Sequence, residues 1–183
     1  MIRWLITCSV ILSSLTAFSR EATESDYAQW TTNWGNLVPE GAYDFVPEDV
    51  TFDIMFDPTF KEKLDVAGKQ LNQSLEGQRI ELAGFMVPIE TVGTDVSQFL
   101  LVPEAGQCVH VPPPPLNQTL VVDTSSQPTK LRDLYEPVIV SGRLSVGAQS
   151  FSMADSGYTL VDVVIEPLEG LDNAIPPGAD GDR

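Results

Sequence analysis

Arg79-Ile80-Glu81-Leu82-Ala83-Gly84-Phe85-Met86-Val87-Pro88 is the stretch that decides the fold. Its first half alternates polar and apolar, the pattern of a strand with one face in water. Gly84 interrupts the run and predicts a bulge or sharp bend, of the kind that lets a short sheet curl. Pro88 ends the expected strand, because it has no backbone donor. Outward from there, Gly77-Gln78 reads as the preceding turn and Thr91 to Asp95 as the following one. Val96 to Val102 is a second strand, rich in Phe and Leu. Val109 to Val111, Thr119 to Val122, Pro137 to Val146 and Tyr158 to Ile165 continue the series, with Gly142 inside one of them and Pro167 after the last. Five or so strands within about a hundred residues predict a mainly β chain. The expected architecture is a small five-stranded barrel of the oligonucleotide/oligosaccharide-binding (OB) type, over residues 74–168. A β-sandwich needs more strands than these.

The N-terminal half reads differently. Residues 1–19 have the form of a signal peptide: Arg3, an apolar Trp4 to Phe18, then small Ala17 and Ser19 before Arg20. The apolar run is shorter than the about 20 residues of a membrane span. Cys8 sits inside it as an ordinary residue, since the apolar run before it is too short for a lipid-attachment box. Residues 20–33 form a polar leader running into a helical region, with disorder expected over Arg20 to Asp26. Residues 34–73 form a helical extension. Trp30 and Trp34, one turn apart, are expected to pack onto the core. Asp57-Pro58 reads as an N-cap followed by a first helical proline. The helix it starts would reach about Gln73 and place Phe60, Leu64, Ala67 and Leu71 on one side. Residues 40–57 show no clean periodicity. Residues 169–183, rich in Gly, Pro, Asp and Ala, read as a disordered tail.

Cleavage after Ser19 leaves one cysteine, so the mature chain can form no internal disulfide and its core must stabilise itself. It also leaves 9 basic against 26 acidic residues, a net charge of −17. Such a chain repels phosphate backbones, which excludes nucleic acid and anionic membrane surfaces as expected partners.

Gly106-Gln-Cys-Val-His-Val-Pro-Pro-Pro-Pro-Leu-Asn-Gln118 holds the only histidine, His110, and the only mature cysteine, Cys108. On an extended Val-His-Val backbone the two side chains leave one face. A thiolate and an imidazole suit Zn²⁺ or copper, with Glu104 or Glu90 as candidate further ligands. A reactive thiolate activated by His110 is a second reading, but no orienting third residue or oxyanion-hole motif accompanies it, so no catalytic set is expected. The third is a binding module without chemistry. There Cys108 is a small hydrophobe, and Pro112, Pro113, Pro114 and Pro115, with Asn117 and Gln118, present a stiff extended surface to a partner.

Several stretches together resemble one bacterial family. They are Leu75-Glu76-Gly77-Gln78, Gly84-Phe85-Met86-Val87-Pro88-Ile89-Glu90, Phe99-Leu100-Leu101-Val102-Pro103, the Gly106–Gln118 run, Pro137-Val138-Ile139-Val140-Ser141-Gly142 and Ala154-Asp155-Ser156-Gly157-Tyr158. Trp34-Gly35-Asn36-Leu37-Val38-Pro39 resembles the opening Trp-x-x-Leu-x-Pro of the same family, domain of unknown function 3299. Gln107 stands where that pattern has Ala, and Leu116 where it has a fifth proline. The resemblance implies an OB-type barrel in a secreted or periplasmic protein. It also implies a gene neighbourhood with a transporter ATPase, its permease and a zinc-responsive periplasmic protein. The expectation is therefore a periplasmic accessory binding protein of an envelope transport system. It is expected to work beside an ABC-type permease or another periplasmic protein, and to handle zinc through Cys108, His110 and Glu104. The alternative is an adaptor module with neither metal nor catalysis.

Overall fold

The computed structural model describes residues 20–21 and 33–169. The signal segment, Trp30 and the tail beyond Glu169 lie outside the described residues.

Seven strands form one sheet: β1 (Arg20–Glu21), β2 (Arg79–Val92), β3 (Asp95–Val102), β4 (Leu120–Asp123), β5 (Thr129–Lys130), β6 (Pro137–Ser150) and β7 (Asp155–Glu169). Five of them close into a ring. β2 pairs antiparallel with β6 over Arg79 to Phe85, then with β3 over Phe85 to Val92. β3 continues to β4, β4 runs parallel to β7, and β7 returns antiparallel to β6. β1 lies parallel to Leu168–Glu169, and β5 pairs with Asp95 and Val96 of β3. The chain is thus mainly β, built on a ring of five strands. Arg20 and Glu21, expected in a disordered leader, are paired.

Phe99, Leu100, Leu101 and Val102 are buried in succession, as are Leu120, Val121 and Val122. Four consecutive buried residues on a strand mean that both faces are covered. The interior joins these to Leu82, Met86, Val138, Val140, Leu144, Tyr158 and Leu160, and the segment 33–37 contributes Trp34 and Leu37 to the same cluster.

Gly84 does not carry the expected bulge. It pairs in register with Val138, and the irregularities of β2 fall between Pro88 and Thr91. A Cβ at Gly84 would lie 2.7 Å from the Val102 carbonyl oxygen, so the glycine permits close approach where β2 passes from one neighbour to the other. The strand also runs through Pro88 to Val92. The bulge appears instead on β7, where one extra residue separates Val161 from Val164 opposite Ser141 and Arg143. Asp162 takes φ 53° there, and its carboxylate pairs with Arg143.

Before the ring come a helical turn over residues 33–36, α1 (Phe52–Phe56) and α2 (Pro58–Gly68). Asp57 caps α2 as expected: its Oδ1 accepts from the N–H groups of Thr59 (2.7 Å) and Phe60 (3.0 Å). Those bonds hold its carboxyl below the ordinary value. The helix stops at Gly68 and not near Gln73. Lys69 and Gln70 bond back only three residues, to Val66 and Ala67, which tightens and ends the last turn. Leu71 therefore packs from beyond the helix. α1 arises where no periodicity was visible.

Tyr158 joins these segments to the ring. It is fully buried; its hydroxyl donates to the Leu37 carbonyl at 2.5 Å and accepts from the Asn72 N–H at 2.8 Å. Burial raises its pKa above the ordinary 10.0. Tyr158→Phe strands the buried Leu37 carbonyl and the half-buried Asn72 N–H, so it is expected to lower the unfolding free energy by about 1–3 kcal/mol, measured by urea denaturation. A neutral result would show that water satisfies both groups.

Candidate functional site

The loop after β3 is a turn, which overturns the expected strand at Val109–Val111. The Gly106 carbonyl accepts from three successive N–H groups, those of Val109 (3.3 Å), His110 (2.8 Å) and Val111 (3.3 Å). Gly106 sits at φ 78° and Cys108 at φ 64°. A non-glycine residue in the left-handed region is uncommon, and nothing in Gln-Cys-Val-His signals one. Gln107 is buried, and its Oε1 accepts from the Glu104 N–H at 3.1 Å. Cys108 and His110 therefore do not share a strand face.

Cys108 is half-buried against the edge of the core, and burial pushes its thiol above the ordinary 9.0. That opposes the thiolate which both nucleophilic chemistry and metal binding need. His110 is exposed and folds back toward the loop backbone: a Cβ at Gly106 would lie 3.8 Å from its Cβ and Cδ2. Glu104 and Glu90 are exposed. Among the described residues, no three His, Cys, Asp or Glu side chains gather where a metal could sit.

The proline segment and the residues after it hold the fold together. Pro115 has φ −58° and ψ 157°, close to the polyproline conformation, and ends in a 3₁₀ turn, Leu116–Gln118. Asn117 is fully buried and donates from Nδ2 to the Ala67 carbonyl of α2 at 3.0 Å. Its Oδ1 has no hydrogen-bond partner among the described residues. Gln118 donates to the Trp34 carbonyl at 3.0 Å, while the Trp34 indole donates to the Ala83 carbonyl of β2 at 2.7 Å. Asn117 and Gln118, expected on a binding surface, thus face inward. Pro112, Pro113 and Pro115 remain exposed and Pro114 half so.

Exposed apolar surface concentrates on α1. None of its residues is buried, and Phe52, Met55 and Phe56 are 74%, 54% and 55% exposed. The Phe52 and Phe56 rings pack on each other with centroids 4.4 Å apart, and the Lys61 ammonium lies 4.8 Å from the Phe56 ring centre. α2 and the turn after Pro39 flank an open depression of about 500 Å³ lined by Ala42, Phe45, Val66 and Ala67 with Lys63 and Glu62. Sequence reading missed α1. The available signal was two phenylalanines four apart around a methionine, just ahead of the Asp57-Pro58 helix start.

These features define a mainly β protein built on a ring of five strands. Residues 34–167 match the family described as "Protein of unknown function (DUF3299)", and the chain belongs to it. A family protein from Pseudomonas aeruginosa PAO1, of known crystal structure, is 30% identical, with a TM-score of 0.56 over 83% of this chain and 97% of that one. No curated protein matches the chain. No helix among the described residues is long and apolar enough to cross a membrane.

A Cβ at Gly68 would lie 2.9 Å from the Pro115 Cβ, and a proline ring cannot step aside. Helix propensity alone favours Gly68→Ala by about 1 kcal/mol. The contact reverses the sign, and a loss of about 1 kcal/mol or more is expected on chemical denaturation. For Cys108, the raised thiol value means that its stabilisation is complete below pH 9.0 and is lost as pH rises through the raised value. Alkylation of the native protein near pH 7 should accordingly be about tenfold or more slower than in urea, and Cys108→Ala should flatten the alkaline loss of stability.

Proposed function

We propose that this protein is an accessory partner-binding module of the bacterial envelope, exported to the periplasm by residues 1–19, and that its ring of five strands is a small barrel of the OB type. In this reading it serves a transport system by contact, without catalysis and without a resident metal. The barrel type is supported by the closed order of the strands, in which the third and fifth of the ring run parallel. The single observation that carries the function is the α1 face. A helix in which Phe52, Met55 and Phe56 stay mostly exposed and Ile54 is half-buried gains little hydrophobic stabilisation from its own fold. A contiguous exposed apolar patch is the mark of a surface completed by another molecule, and Met and Phe are enriched at the centres of such contacts.

Zinc carriage through Cys108, His110 and Glu104 is the second reading. What favours it is that one tight turn, closed on the Gly106 carbonyl, holds both soft ligands two residues apart. The partial burial of Cys108 works against it.

A photo-crosslinking residue placed at Met55 in the cell is expected to give a discrete adduct with an envelope protein, and one placed at exposed Leu131 to give none. The triple variant Phe52→Ser, Met55→Ser, Phe56→Ser should melt within a few degrees of the parent, since each site is a surface position worth about 0.5 kcal/mol or less. A variant that unfolds, or a Met55 probe that captures nothing, sinks the reading. A zinc-dependent rise in melting temperature that Cys108→Ser abolishes would establish the metal reading instead.

A further inference from the structure

The other flank of α2 faces the proline segment across a groove of about 390 Å³. Leu64, Asp65, Gly68 and Lys69 line one side and Pro113 to Leu116 the other, with Asp155, the first residue of β7, contributing as well. The width of this groove is preset. Gly68 lies against Pro115 without room for a side chain, and the buried Asn117 amide ties the same segment to the Ala67 carbonyl. Walls fixed in this way have little conformational freedom to lose when something enters.

The charges in the groove are unequal. Lys69 is the one cation in its lining, and it is already engaged by Asp65 at 2.6 Å, one helical turn away. The Asp155 carboxylate has neither a hydrogen bond nor an ion pair among the described residues. The uncompensated charge is therefore negative, on a chain whose net charge is −16. The rest of the lining is Leu64, Leu116 and proline rings, a surface that suits a methylene stem. Lysine and arginine carry both parts: a long apolar stem and a charged tip.

We infer that this groove docks an extended, basic segment of a protein partner. One lysine or arginine stem of that segment lies along Leu64, Leu116 and the prolines, with its cation at Asp155. The field of the whole chain draws such a segment in, and the groove selects where it stays. This surface is separate from the α1 face and stands whether or not that face binds anything.

The probe is a fluorescent peptide of alternating Lys and Ala, with Gln–Ala and Glu–Ala peptides of equal length, titrated by anisotropy at 50 and 150 mM salt. The Lys peptide is expected to bind and the other two are not. Asp155→Lys should weaken binding by about fivefold or more, whereas Glu136→Lys, an equal change of net charge at the opposite end of β6, should weaken it less than twofold. Lys69→Gln frees Asp65 and should tighten binding by about twofold, a gain that damage to the fold would not produce. Equal losses from Asp155→Lys and Glu136→Lys would show attraction to net charge alone and overturn the inference. Binding of the Gln peptide as tight as that of the Lys peptide would overturn it too, by showing a neutral occupant.

Discussion

The fold depends on how a stretch of chain with little regular structure is fastened to the ring. Residues 33–51 and 67–78 have little helix or strand to satisfy their backbone groups, yet they cover the core. Buried backbone groups left unpaired cost about as much as lost hydrogen bonds. Side chains from the ring and the loop before β4 meet that need. Tyr158 serves Leu37 and Asn72, Gln118 serves Trp34, and Asn117 serves Ala67. The traffic also runs the other way, from the Trp34 indole to the Ala83 carbonyl and from the Asn33 amide to the Glu81 carbonyl, both on β2. The cover and the ring therefore form one cooperative unit. The residues that tie them are polar because backbone, and not side chains, is what they must grip.

This explains which parts were legible in the amino-acid order. β2, β3 and β6 were, because their apolar alternation reflects a buried face that any sheet of this kind requires. The Asp57-Pro58 helix start was legible too, since its mechanism is local. The Cys108–His110 turn was not. It rests on a left-handed conformation at Cys108, which residue type gives no reason to expect, and on three N–H groups converging on one carbonyl. Gly84 and Gly68 were visible as glycines, but what each makes room for, the Val102 carbonyl and Pro115, comes from chain distant in sequence. The end of α2 was missed for the same reason, since the segment that packs against its last turn lies some 50 residues on.

The Cys-to-Gln run also shows how a distinctive pattern of residues can serve the fold. Histidine and cysteine attract a metal or catalytic reading because few other side chains can do that work. In the folded chain the tightest constraints fall on its quieter members. Asn117 is buried, Pro115 is held against a helix, and Gln107 is turned into the loop, while His110 is exposed and Cys108 is raised away from its thiolate. A run of residues can be distinctive because its geometry is hard to build.

Rigidity of this cover bears directly on what the molecule can bind. The bond from Asn117 that satisfies the Ala67 carbonyl also sets the spacing between α2 and the proline segment. A loosely attached helix with three exposed apolar side chains would collapse onto the nearest apolar surface of its own chain. α1 is held away from that outcome by its junction with α2, where Asp57 accepts from Thr59 and Phe60 while its own N–H donates to the Ile54 carbonyl. One residue thus ends the first helix and begins the second, so the direction of α1 is inherited from α2, and that of α2 from Asn117 and Pro115. In the proposed reading, a contact surface prepared this way would lose little entropy on binding.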